Sequence, residues 1–253
     1  MSEAKRAPSV EPRRGAALAA ELDAQSRAGD VLSLAATGLV ACAVATFLAT
    51  QFISDQPMPD NVTLIMWYAI RIAGILAYLT LWLTTVAGLC ISGGLFPKWG
   101  AVLLPVHQLA DLALSLALLH AALLLGDRFA GFTPESLVVP FRSAYEPFWT
   151  GLGILALYLG AIVFWSVDIR PQIGYARWRA LHYLAFVVYV FALAHGLFAG
   201  TDRETAPMRL MYAATGGAVI GLAVLRTVAL SRVPAKPAPS RAGAASGKRS
   251  AAS

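Results

Sequence analysis

Charge is scarce in this chain. Lys, Arg, Asp and Glu together supply 13% of its 253 residues, roughly half the usage of an average globular domain. An ordinary water-soluble fold is excluded on that ground. Cysteine is nearly missing too. Cys42 and Cys90 both lie inside apolar runs, so neither a disulfide framework nor a C-x-x-C metal site can be built from them. No G-x-G-x-x-G occurs in a strand-to-helix context, which removes the usual seat of a dinucleotide. Histidine is limited to four residues.

What is present is apolar. Hydrophobic residues make up 58% of the chain and fall in long charge-poor runs, the pattern of membrane spans. Residues 1–29 are polar, with Pro8, Pro12 and Arg13-Arg14, and read as a tail. The first run, Val31–Ile53, is too long for the core of a signal peptide. Five further runs follow, at about Thr63–Ile91, Gly100–Leu125, Phe148–Val167, Ala180–Phe198 and Met208–Leu230. Gly93-Gly94 and Pro97 end the second. The connection Asp127–Pro147 is expected to lie along the membrane surface, and Asp168–Arg179 to be a linker. Residues 232–253, rich in Ala, Pro, Ser, Lys and Arg, read as disordered. The expected architecture is therefore all-α: a polytopic six-helix transmembrane bundle over residues 30–231 between disordered cytoplasmic tails.

Lys and Arg orient it. With six spans both tails share one side, and that side collects fifteen of the twenty Lys and Arg residues. Arg128, Arg142, Arg203 and Arg209 fall opposite, and Arg71 lies within the second span. Both termini are thus expected in the cytoplasm, with the protein in the cytoplasmic (inner) membrane. The net charge of +6 follows from this bias. No nucleic-acid partner is expected, and the basic C-terminal tail is free to touch anionic lipid.

The four histidines are the informative residues. His107 and His120 are thirteen residues apart in the third span, and His182 and His195 thirteen apart in the fifth. Both spans run from the cytoplasmic to the outer side. Helical rise separates the members of each pair by about 20 Å within a core about 30 Å thick. His107 and His182 then share an inner depth, and His120 and His195 an outer one. Two imidazoles facing each other at one depth can be the axial ligands of a haem iron. No C-x-x-C-H occurs, so such haems would be of b type. Ionisable groups inside a membrane are costly and usually functional. One angular problem stands: thirteen helical steps leave paired histidines about 140° from a common face. A crossing, a kink near Pro105, or haems presented from different sides would resolve it.

The segment Arg177–Asp202, RWRALHYLAFVVYVFALAHGLFAGTD, resembles the ferric-reductase-like transmembrane domain. That family includes ferric reductases, the membrane part of NADPH oxidases, and the haem subunit of a bacterial methionine-sulfoxide reductase system. Arg71–Gly88 and Val138–Leu159 are similar to it as well. The resemblance implies two haem b groups, the inner on His107 and His182 and the outer on His120 and His195. It also implies the haem-binding membrane component of an oxidoreductase. About twenty polar residues follow the sixth span, without the flavin and nicotinamide domains of the larger relatives. The expected electron donor is a separate flavoprotein reductase or membrane quinol. Expected acceptors are a periplasmic reductase, a ferric chelate or oxygen. Two other readings stay open: a quinol-oxidising cytochrome b anchor of a larger complex, and a non-catalytic membrane scaffold.

Arg71 is expected to pair with a propionate of the outer haem or to draw an anionic acceptor; the plainer alternative is a snorkelling arginine. Asp111, one helical turn after His107, is either a partner of a ligand histidine or a neutralised buried carboxyl. Trp67, Trp99, Trp149, Trp165 and Trp178 read as an interfacial belt. Gly217 and Gly221 give a small-xxx-small spacing, expected to permit close helix packing.

Overall fold

The computed structural model describes Gly38 and residues 60–93, 106–127 and 130–231. Among the described residues there are helices and no strand. They are α1 (Asp60–Ser92), α2 (Val106–Leu124), α3 (Pro134–Val138), α4 (Pro147–Ile173), α5 (Tyr175–His182), α6 (Leu184–Ala199) and α7 (Ala206–Ser231). Taking α5 and α6 as one span, five helices are long and apolar enough to cross a membrane. The protein is a multi-span helical membrane bundle. The first expected span, Val31–Ile53, both tails and Pro105 lie outside the described residues, apart from the helical Gly38.

The helices form where apolar runs leave the backbone no partner but itself. α1 has 33 residues, about 50 Å of helix, against a hydrocarbon core of about 30 Å. Three of its four threonines are satisfied within the helix. Thr80, Thr84 and Thr85 donate to the carbonyls of Leu76, Thr80 and Leu81 at 2.7, 2.8 and 2.9 Å, so the hydroxyls cost little in lipid. Outward faces carry large apolar side chains, among them Ile65, Leu210 and Ile220, as a lipid-facing surface requires.

The helices associate in pairs. α1 packs chiefly on α2, and α4 on α6, while α7 closes the bundle against α1. A polar knot joins three of them. The Tyr78 hydroxyl lies 2.6 Å from Thr215 Oγ1 and 3.2 Å from the Tyr189 hydroxyl, and Trp82 Nε1 donates to the Thr215 carbonyl at 3.1 Å. Tyr78, Leu89, Tyr189, Tyr212 and Val219 form the buried core around it.

Several expectations need correcting. The segment Asp168–Arg179 is not a linker. α4 runs through Pro171 to Ile173, breaks at Gly174 (φ 81°), and the chain re-enters helix as α5. Proline removes one helix hydrogen bond, and it is tolerated here in the last turn. The fifth span therefore starts at Tyr175, and it is interrupted at Tyr183. There the Tyr183 N–H bonds the Ala180 carbonyl at 3.3 Å, and the Phe186 N–H bonds the Tyr183 carbonyl at 3.1 Å. These are three-residue bonds, and such steps turn about 120° rather than 100°. The overwinding closes part of the angular gap between His182 and His195.

The connection before α4 is also ordered. Thr133 and Ser136 cap α3 reciprocally, at 3.2 and 2.9 Å. Tyr145 donates from its hydroxyl to the Ala199 carbonyl at 3.0 Å, fastening this connection to the end of α6. Gly217 and Gly221 do not mediate packing among the described residues, because a side chain at either would meet nothing within 4 Å.

Candidate functional site

The site is built from the two helix pairs. In the first, α1 presents the Ile70 carbonyl, and His120 of α2 approaches it with Nδ1 at 2.9 Å. In the second, α4 presents the Trp149 carbonyl, and His195 of α6 approaches it with Nδ1 at 2.9 Å. A carbonyl oxygen only accepts, so Nδ1 carries the proton in both rings and Nε2 keeps its lone pair.

A glycine lies four residues after each carbonyl, hence on the same helix face. The glycines are Gly74 and Gly153. A Cβ on Gly74 would stand 3.0 Å from His120 Nδ1, and one on Gly153 would stand 2.8 Å from His195 Nδ1. An added Cβ at Gly153 would force the His195 ring to shift, and one at Gly74 would crowd the His120 ring. Each imidazole therefore rests in a notch opened by a glycine. The two notches bring the rings together across the space between the pairs. The ring centroids of His120 and His195 are 6.4 Å apart, with their planes at 72°.

Below them runs a cavity of about 1290 Å³ lined by all four histidines, larger than the roughly 300–1,000 Å³ of ordinary small-molecule pockets. Its wall is mostly apolar, with Ala113, Ala117, Leu157, Gly160 and Val188 among its residues. Tyr78 and Tyr212 also line it.

At the other level the histidines are placed differently. His107 meets Phe164 edge-on at 4.8 Å. His182, the last residue of α5, stacks on Trp178 at 4.9 Å and 26°. Both face the cavity, and they make no ring contact with each other. Arg179, Tyr183 and Arg226 line the same end. Arg179 donates to the Tyr183 hydroxyl at 3.3 Å.

Arg71 lines the cavity at the His120–His195 end. Its Nε lies 2.9 Å from Asp202 Oδ2, and its guanidinium covers the Trp67 ring. Its Nη1 is buried without a hydrogen-bond partner. Asp111 is buried at 4% exposure but is not part of the cavity wall. Cys90 is a buried free thiol, and Cys42 lies outside the described residues.

The sequence pointed to the histidines and Arg71. It did not point to Ile70, Gly74, Trp149, Gly153 or Asp202. Trp149 looked like a belt residue, yet its backbone holds a histidine, and its ring stacks on Phe198 at 4.1 Å. The available signal was a glycine within each neighbouring span, too common a feature in membrane helices to single out.

Among the described residues, no three His, Cys, Asp or Glu side chains converge as they would around a metal ion held by side chains alone. No family model matches the chain, and neither a curated protein nor a solved structure does.

Proposed function

We propose that the protein is a di-haem b electron conduit of the ferric-reductase-like kind, the membrane component of an oxidoreductase. The observation that carries this reading is the His120–His195 pair. Two metal–nitrogen bonds of about 2 Å each, extended by the two rings, span close to the observed 6.4 Å between centroids. The residues fit a haem in three further respects. Both rings have Nδ1 tied to a carbonyl, so both offer Nε2, the arrangement typical of ligating histidines. The cavity between the helix pairs is apolar and large. The unpartnered Nη1 of Arg71 offers a donor to a carboxylate.

When bound, haem iron supplies one-electron transfer. The chain holds the ligands: His120 and His195 at the outer level, and His107 with His182 at the inner level. The apolar wall excludes water, and the Nη1 of Arg71 would donate to a propionate. The donor is a separate flavoprotein or membrane quinol on the cytoplasmic side, where both termini are placed by the Lys and Arg bias. The acceptor, a periplasmic reductase, a ferric chelate or oxygen, is met at the outer face.

The test is a visible spectrum of the purified protein, oxidised and dithionite-reduced, with haem quantified per chain. About two b haems in the wild type and about one in His195→Ala are expected. A protein that stays colourless after reconstitution with haem overturns the reading and leaves a membrane scaffold.

A further inference from the structure

The Arg71–Asp202 pair lies beside the outer ligands from both sides of the chain. Arg71 follows Ile70, whose carbonyl holds His120. Asp202 comes seven residues after His195. Arg71 Nε is 2.9 Å from Asp202 Oδ2, and Thr201 Oγ1 accepts from Nε at 3.0 Å and from Nη2 at 2.5 Å. Asp202 is fixed in turn, because its carbonyl accepts from the Thr205 N–H at 2.9 Å and the Thr205 hydroxyl at 2.8 Å. The Arg71 side chain is 15% exposed and that of Asp202 35%, so water screens the pair incompletely. The neighbouring cation, Arg203, has its own acids, Glu146 at 3.8 Å and Glu204 at 3.5 Å.

We infer that Asp202 sets the electron affinity of the outer haem by cancelling the charge of Arg71; the inference rests on the bis-histidine reading. Each reduction adds one electron to the iron centre. An uncancelled cation nearby favours the reduced state, and an uncancelled anion opposes it. The pair holds the local field near neutrality, so loss of either member moves the midpoint potential, in opposite directions. Asp202 is a positioning and tuning residue, with no part in ligating the iron.

The experiment is a potentiometric titration of the full-length, haem-loaded protein, followed in the visible spectrum. Asp202→Asn is expected to raise the potential of one haem, Arg71→Gln to lower it, and the double variant to return toward wild type. Glu204→Gln, at a side chain 81% exposed, is expected to leave both potentials in place. If Arg71→Gln does not accumulate, Asp202→Asn against Asp202→Glu decides, since only the first removes charge. Haem-loaded variants whose potentials do not move, or move in the same direction, overturn this inference alone. A wild type that takes no haem overturns the bis-histidine reading, and this inference with it.

Discussion

His120 and His195 are held by the same fixture on different helices. Each imidazole donates from Nδ1 to a carbonyl 2.9 Å away, and each rests over the glycine four residues further along that helix. Two unrelated segments of sequence reach one geometry, and the rings meet across the gap.

The glycines are therefore as demanding as the histidines. Gly153→Ala, with its Cβ 2.8 Å from Nδ1, is expected to displace His195 and lower haem content from about two per chain toward one. Gly74→Ala, at 3.0 Å, is expected to lose less. Haem quantification beside a thermal unfolding curve separates the two effects. Retention of both haems in Gly153→Ala would show that the notch is not needed.

The polar knot is expected to contribute modestly. Tyr78→Phe removes the contacts to Thr215 and Tyr189. Thr215 keeps its bond to the Met211 carbonyl at 2.7 Å. Interhelical hydrogen bonds in membranes are worth about 0.6 kcal/mol on average and at most about 1.7. A stability loss of about 1 kcal/mol is expected by unfolding in detergent.

Leu89 makes the contrast. It is 1% exposed and packs in the core shared by α1, α6 and α7. Leu89→Ala is expected to cost about 2–5 kcal/mol, more than the loss of the Tyr78 hydroxyl. The same unfolding measurement ranks the two.

Orientation can be read with thiol labelling. After Cys42 and Cys90 are changed to Ser, a cysteine at Glu204 is expected to react with a membrane-impermeant reagent on intact cells. One at Arg177 is expected to react only after lysis. The opposite pattern would invert the proposed electron path.

The sequence made one half of the site legible. Four histidines in two equal spacings, and one arginine in an apolar run, are local features of unusual residue types. Their supports are not local. Ile70 and His120 are 50 residues apart, Trp149 and His195 are 46 apart, and Asp202 lies 131 residues beyond Arg71. A carbonyl carries no sequence signal, and a glycine in a membrane helix carries a weak one. The misplaced linker has a local cause. Pro171, Gly174 and three arginines have the composition of a loop, yet only Gly174 breaks the helix.

The interruption at Tyr183 bears on how the protein is assembled. On the His195 side of that break, the rings of His120 and His195 are fastened to neighbouring helices by the folded backbone, so a cofactor of the proposed kind would enter a finished frame there and order little. On the other side, His182 is stacked on Trp178 at the end of an eight-residue helix that has no buried residue, and it makes no ring contact with His107. On the proposed di-haem reading, the outer position is then expected to fill first, and a half-loaded protein with one haem is the species to look for when haem is limiting.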